Sequence, residues 1–492
     1  MSEIDDLLNG AAVQSTIATP TLVKDAVDLR TVNVYAFMDD AHDGTGGFRN
    51  GTYLIPHARE MFYEERKQLA YYKNFVRPIV RAMVDPVFNE AVVTKVLGAD
   101  GTDATSDQLE AFLENCDNGG TTLQNFVKRA CRKARVHGVS FIVMDNFPAG
   151  EIPVSVLDAV KARKIPYLCL RTAAQVPENG GYDCDEYGNP MWILFAEKDD
   201  PNDKATPKRW RKWTPEYTVM CRAKGDGFDE IVETKSEHGL GCIPVICLYA
   251  ASRDNMDTPL VDPPLYDLAR MNHALFNKTS LIHSQERSQG FSLLYIQTNN
   301  PQNLQTVGDK TVLFIPENMT IPPAYISANP AVLEGLVSNE DKLREDMFRL
   351  AEQNGVIGVQ SAKSGVAIQW DFFAHESVLK TTSSMAKWLT DKIAELWGLY
   401  VKDDAGKKLD AEYPTDFQPN DVTAELALYD KALLMTFPPK TTAMLKSKAV
   451  RLLFADEDPQ RVQECVDEIN QVAEDEINAE KVPPQFAGNA GK

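Results

Sequence analysis

The chain has 492 residues, 43% apolar and 25% charged, a composition that excludes collagen-like and generally disordered architectures. At that length, domains of roughly 100–200 residues give an expectation of about two to four structural units. Its 51 Lys and Arg against 71 Asp and Glu leave a net charge of −20. A protein that grips a nucleic-acid backbone tightly needs a cation for each phosphate contact. A conventional DNA clamp is therefore excluded, although such a chain can still enclose DNA without holding it.

The first residues, MSEIDDLLNG, are acidic and lack the basic-then-apolar layout of a signal peptide. No apolar run approaches the roughly 18 residues of a membrane span. Eight cysteines, at 116, 131, 169, 184, 221, 242, 247 and 465, form no C-x-x-C pair, so reduced and mostly buried thiols are expected, with neither disulfide nor zinc site. The sequons at Asn277 and Asn318 carry no weight without an export signal.

Residues 1–56 mix polar and Gly-rich text (DDAHDGTGGFRNGTY), which predicts an arm or loop. From 57 to 83 the apolar residues fall at helical spacing, and Pro78 predicts a break into two helices near Asn74. A third amphipathic helix is predicted over 121–137; its basic face, Lys128, Arg129, Arg132, Lys133 and Arg135, is expected to be solvated. Residues 139–250 switch to strand grammar in VSFIVMD, PYLCLRT, PMWILFAE, YTVMCRA and IPVICLYA. The Asp183–Pro190 stretch between two of them predicts a hairpin turn, since it lacks the later ligands of a calcium loop.

After Asp262-Pro263-Pro264 a helix is predicted over 265–289, closed by Gly290. Residues 291–329 are β-rich, and a second helix runs over 333–353 with Leu336, Leu343, Met347, Leu350 and Ala351 on one stripe. A small, nearly uncharged loop, GVIGVQSAKSGVAIQ, leads into a long helix over 374–402. The region 421–480 is helical; its last part, 456–480, has ten Asp and Glu against one Arg. The end of the chain is expected to fray.

Catalytic signatures are missing. There is no phosphate-binding G-x-x-x-x-G-K-[ST] loop, no G-x-G-x-x-G, no G-x-S-x-G and no H-E-x-x-H. The seven histidines never pair at i, i+4. Asp doublets at 39–40, 199–200 and 403–404 give an alternative, as Mg²⁺ ligands of an acidic nucleic-acid-processing enzyme, and an adaptor with no DNA role fits the net charge equally well. Neighbouring side chains point apart, so the doublets are weak ligand sets. A non-enzyme with no cofactor and no metal is expected.

The order of elements in the second half, with PPLYDLARMNHALFNKTSLIHSQERSQGFSLLYIQ, resembles the portal proteins of tailed bacteriophages. SGVAIQWDFFAHESVLKTTSSMAKWLTDKIAELWGLYV resembles that family's tunnel loop and tunnel helix, and YYKNFVRPIVRAMVDPVF and HGVSFIVMDNFP resemble parts of its wing. The resemblance covers roughly 57–475; residues 1–56 are unmatched. It implies an α+β portal-type fold with a mixed α/β wing, helical stem, small α/β clip, long tunnel helix and helical crown, assembled as a ring of typically twelve copies.

Mapped onto this chain, the resemblance implies an arm at 1–56 and a wing at 57–262, rejoined by 403–420. The stem is 263–290 and 333–355, the clip 291–332, the tunnel loop 356–372, the tunnel helix 373–402, the crown 421–480 and a flexible tail 481–492. It also implies a virion location at the capsid's portal vertex after assembly in the host cytoplasm. The implied partners are further copies of itself, major capsid or scaffolding protein, the terminase packaging motor, a head-completion or tail adaptor protein, and double-stranded DNA in transit; no membrane is involved.

A conduit must not bind what it carries, because every fixed phosphate contact is a trap strengthened by counterion release. The tunnel loop carries a single cation, Lys363, with Ser361, Ser364 and Gly365 beside it. One Lys per subunit makes a collar around a ring. Arg270, Lys278 and Arg287 of the first stem helix are further candidates for the channel wall. Leu336, Leu343, Met347, Leu350 and Trp388 are the candidates for contacts between subunits.

Overall fold

The computed structural model describes residues 32–480 except 58–59, 61–62, 90–91, 93, 99–101, 103, 105, 148–150, 154, 178–179, 198–208, 225–226, 254, 291–292, 298–311, 316–323, 327–329, 352–364, 405, 416, 418–430, 432–434, 436 and 455–458. The first helix, α1 (Val34–Asp43), starts under Asn33, whose side chain accepts from the N–H groups of Tyr35 and Ala36. Gly44, left-handed at φ 66°, closes it. A short α2 (Gly46–Asn50) follows, and Phe37, Met38, Ala41, Phe48, Tyr53 and Leu54 are buried. This corrects the expected loop for residues 33–54. The glycines that suggested a loop are helix ends, and the aromatic residues between them are core. Residues 1–31 lie outside the described residues.

The break predicted from Pro78 separates α3 (Tyr63–Leu69) from α4 (Val76–Val84). Pro78 sits in the first turn of α4, where a missing N–H costs nothing. Then come β1 (Thr94–Leu97), α5 (Asp107–Glu114), capped by Ser106, and α6 (Leu123–His137), capped by Thr122. The chain continues through β2 (Val139–Asp145), α7 (Val156–Lys161), β3 (Tyr167–Thr172), β4 (Tyr182–Cys184), β5 (Pro190–Ala196), β6 (Arg209–Trp213), β7 (Tyr217–Lys224), β8 (Gly227–Glu237) and β9 (Val245–Tyr249).

These strands make two antiparallel sheets. In the first, β2 lies between β3 and β9; in the second, β4 to β8 pair in sequence. Period-two alternation puts Val139, Phe141 and Val143 of β2 against Ile193, Phe195 and Trp213 of the second sheet. On the other face Ser140 donates to Ala130 O of α6 at 3.0 Å. The Asp183–Pro190 stretch is a hairpin turn: Gly188 is left-handed, and Asp185 Oδ1 accepts from the N–H groups of Tyr187 and Asn189.

After β9 the chain forms α8 (Tyr266–Gly290), then β10 (Leu293–Gln297), β11 (Val312–Ile315) and β12 (Ala324–Ile326). β10 is the middle strand of that sheet, parallel to β11 and antiparallel to β12. Next are α9 (Pro330–Leu350) and α10 (Gly365–Tyr400). α10 begins at Gly365, so the stretch 365–372, expected as loop, is helix; beyond its leading glycine, VAIQWDF contains no helix breaker. β13 (Lys408–Ala411) returns to pair with β1, Thr94 opposite Ala411. Residues 1–416 form one compact unit and 417–492 a second. In the second, α11 (Pro439–Leu453) and α12 (Pro459–Glu480) pack together and bury Ala443, Val466 and Ala473.

Candidate functional site

The residues singled out in the sequence lie on or beside the paired helices α8 and α9 and the long α10 of the first unit. α8 is held by a row of polar groups that helical spacing places on one side: the buried Asn272, His273 and Ser280 and the half-buried Asn277. Asn272 Oδ1 accepts from Phe75 N at 2.9 Å, and its Nδ2 donates to Lys73 O at 2.8 Å. The Tyr72 hydroxyl lies 2.9 Å from both Asn272 Oδ1 and Ala41 O. His273 Nε2 lies 2.7 Å from Tyr53 O, to which it donates, and burial pushes this imidazole below the usual histidine range.

Lower on α8, Asn277 Oδ1 accepts from Ile55 N at 2.8 Å. Ser280 Oγ accepts from the buried Arg66 guanidinium at 2.8 Å. That guanidinium also grips Glu60 through two bonds, of 2.5 and 2.9 Å, and reaches Ile55 O. A fork-on-carboxylate pair satisfies a buried cation in a fixed orientation.

α9 is tied to the same stretch of chain. Lys73 Nζ is 2.7 Å from Glu340, and the Phe75 ring meets Phe348 edge-on, with centroids 5.7 Å apart. Tyr72–Phe75 thus clasps both helices at once. No motif marks it in the sequence, because its partners lie roughly 200 residues or more away. Only the apolar spacing of the neighbouring helix hinted that this region was structured.

The candidate channel and contact residues fall in several places. Ser361, Lys363 and Ser364 lie outside the described residues, and Gly365 is the first residue of α10. Arg270 is exposed and lies over the Tyr266 ring, and Lys278 is half-buried on the same side of α8. Arg287, also exposed, is two and a half turns beyond Lys278 and so points to the opposite side. The three cations therefore do not share one face.

On α9, Leu336 and Leu343 are half-buried, whereas Met347 is fully buried inside its own chain. Met347 is thus part of the subunit's core and presents nothing to a neighbour, a correction to its place among the contact residues. Helical spacing put it on the apolar stripe, and the packing of α8 and the Tyr72–Phe75 clasp against α9 leaves this part of the stripe covered. Leu350 is 52% exposed and Trp388 43%; Leu281 and Val337 are further exposed apolar side chains on these helices.

The basic face of α6 is not solvated, as was expected, but paired within the chain. Lys128 and Arg132 meet Asp85, Arg129 meets Asp117, and Lys133 meets Asp39 at 2.5 Å. Arg135 donates to Thr382 Oγ1 of α10 at 2.9 Å. Burial pushes the Asp39 carboxyl up, but hydrogen bonds and charge from His137 and Lys133 outweigh it and hold the group at about 2. Asp40 accepts from Thr45 and Tyr53, and Asp404 from Trp397 Nε1, Ser106 and Lys407. Asp39, Asp40 and Asp404 are thereby engaged in structure, and Asp199-Asp200 lies outside the described residues. Among the described residues no cluster of His, Cys, Asp and Glu has metal-binding geometry, and no helix is long and apolar enough to cross a membrane.

No protein-family model and no curated protein matches the sequence. Among solved structures, the chain is similar to one in the neck of an empty gene transfer agent particle, at 9% identity and a TM-score of 0.43, over 85% of this chain and 94% of that one. It is likewise similar to one in the virion of a native gene transfer agent particle, at 9% identity and a TM-score of 0.40, with the same coverage of both chains.

Proposed function

We propose that this chain is a portal subunit: a non-enzymatic protein that closes into a homo-oligomeric ring at one capsid vertex, with a channel for double-stranded DNA during packaging and ejection. The observation that carries the reading is the order of elements after β9. A helix, a three-stranded insert, a second helix packed on the first, a 36-residue helix and a strand that rejoins β1 precede a separate unit in which the described helices are α11 and α12. That is the order which the resemblance in PPLYDLARMNHALFNK and SGVAIQWDFFAHESVLK implies for stem, clip, stem, tunnel helix, wing and crown.

In this reading the insert β10–β12 docks the terminase motor and later the adaptor or tail protein. The wing-like body meets capsid or scaffolding protein, and Leu281, Val337, Leu350 and Trp388 face neighbouring copies. The absence of a phosphate-binding loop fits a division of labour in which the motor supplies ATP hydrolysis. The acidic helix α12 repels DNA rather than holding it.

Lys363, in the stretch that the resemblance makes the tunnel loop, provides the test. Lys363→Glu turns a cationic collar into an anionic one, in a confined space where screening is weaker than in bulk solvent. Rings should still assemble, DNA packaging should fall, and the defect should ease as salt rises. Lys363→Ala should be much milder. Equal packaging by wild type and both variants, in rings shown to be intact, places the loop away from the DNA.

A further inference from the structure

We propose that β8 of one copy docks along the free edge of β9 in the next copy, with Val232 seated in the cleft beside that edge. β9 ends its sheet and pairs on one side only, with β2. Met144 N donates to Pro244 O at 3.0 Å, and Ala250 N to Gly138 O at 2.8 Å. In an antiparallel pair these bonds fix the alternation: Ile246 and Leu248 turn their main-chain groups toward β2, and Val245, Cys247 and Tyr249 turn theirs outward. Among the described residues no main-chain hydrogen bond reaches that outward row. An unpaired row of N–H and C=O groups is a template for one more strand.

The edge opens on a cleft of about 760 Å³. Met191 of β5 and Trp388 of α10 line it and are 46% and 43% exposed, so the single chain leaves apolar surface to water there. Its charged lining is Arg253 and Lys392, with no carboxylate. Lys392 meets Glu395 of its own helix, and Arg253 Nη2 donates to Gly188 O and Thr258 O. Arg253 Nε, however, is buried without a hydrogen-bond partner among the described residues. A buried donor left unpaired costs free energy that an acceptor from outside recovers. The cleft therefore suits an extended occupant that is apolar at one point and acidic around it.

β8 has that pattern. It ends the other sheet and pairs only with β7, in regular register from Gly227 to Ile231 and again at Ser236 and Glu237. Between them the ladder is interrupted, Thr234 Oγ1 accepts from Met220 N at 3.0 Å, and Val232 is 73% exposed. The strand carries four carboxylates, Asp229, Glu230, Glu233 and Glu237, against the single Lys235. Asp229 and Glu230 pair with Lys224 and Lys212, while Glu233 and Glu237 stand exposed beside Val232. Pairing with β7 at both ends holds β8 in its own sheet, so it is not free to swing into the cleft of its own copy. Surfaces that fit each other but do not meet within one chain make a head-to-tail contact, which closes into a ring when the rotation allows. A charged and bulged edge strand resists indiscriminate pairing, and a basic cleft selects it. The contact rests on the ring reading for its second copy.

Hydrogen exchange at residue resolution, on assembled chain and on Val232→Asp, tests it. In the wild-type assembly the amides of Val245, Cys247 and Tyr249 should be protected. Val232→Asp should keep its circular dichroism, because the side chain is exposed in the single chain, and should need at least about tenfold more protein to assemble. In the unassembled variant the three amides should exchange at least about 100-fold faster, while Ile246 and Leu248 keep their protection from β2. Glu233→Lys with Glu237→Lys should weaken assembly in the same way, and adding Lys392→Glu should restore part of it. In a Cys465→Ser background, which removes the exposed thiol, a short bismaleimide should join Val232→Cys to Cys242 in the cleft of the next copy and give a ladder of chain multiples. Chains that never associate overturn the ring reading and this contact together. Rings whose three amides exchange rapidly, or rings that Val232→Asp leaves unchanged, overturn the contact alone. Protection that persists in the monomer assigns the edge to the chain itself, and protection that appears only with another protein assigns it to that protein; either overturns the contact.

Discussion

Asn272→Ala isolates the clasp on α8. The side chain is fully buried and satisfies Phe75 N–H and Lys73 C=O through bonds of 2.9 and 2.8 Å. Alanine leaves both main-chain groups without a partner in a site that water does not reach freely. Each such orphan costs about 1–3 kcal/mol, so the clasp should weaken by about 2–6 kcal/mol. Because about 1.4 kcal/mol is a factor of ten, exchange of the Phe75 amide should accelerate by roughly 30-fold to about 20,000-fold. Native-state hydrogen exchange measures this directly, with Arg287→Ala, exposed on the same helix, as a control expected to stay within about 0.5 kcal/mol. A change at Phe75 no larger than the control's would refute the idea that Asn272 holds the segment to α8.

The contact between α1 and α6 should be acid-labile in a defined window. Asp39 is held at about 2 against an ordinary 3.8, so its contribution is complete above the unfolded value and is lost as pH falls from about 4 to 2. That contribution is about 2 kcal/mol, and a urea-unfolding series against pH should show Asp39→Asn flattening this part of the profile. Met347→Asp and Leu350→Asp should behave differently although they sit three residues apart on α9. The first buries an unpaired charge in the subunit and should prevent folding, seen as lost circular dichroism; the second should fold but assemble poorly on size exclusion.

The long helices after β9 were legible because apolar residues recur at helical spacing over many turns, as in Leu389, Ile393 and Leu396 of α10. β2, β5 and β9 were legible as apolar runs between turn residues. β6 and β8 were not: RWRKW carries three cations, and the largely exposed residues of β8 give no buried alternation to read. The Gly-rich stretch after Asp43 misled for a different reason, since left-handed helix ends and true loops use the same residue. Of the candidate site, exposed side chains such as Leu350 and Arg270 were within reach of periodicity. The Tyr72–Phe75 clasp and the paired basic face of α6 were not, because distant acids and carbonyls decide them. Charge in the sequence gives the cations but not their partners.

The central claim is the closed ring, and the most direct measurement is particle imaging of the purified chain down the assembly axis, with its mass determined in solution. The account predicts closed rings with a central channel, twelve-fold as the resemblance implies, in which Leu350 and Trp388 lie between neighbouring copies. A stable 54.8 kDa monomer at the same concentration would contradict it.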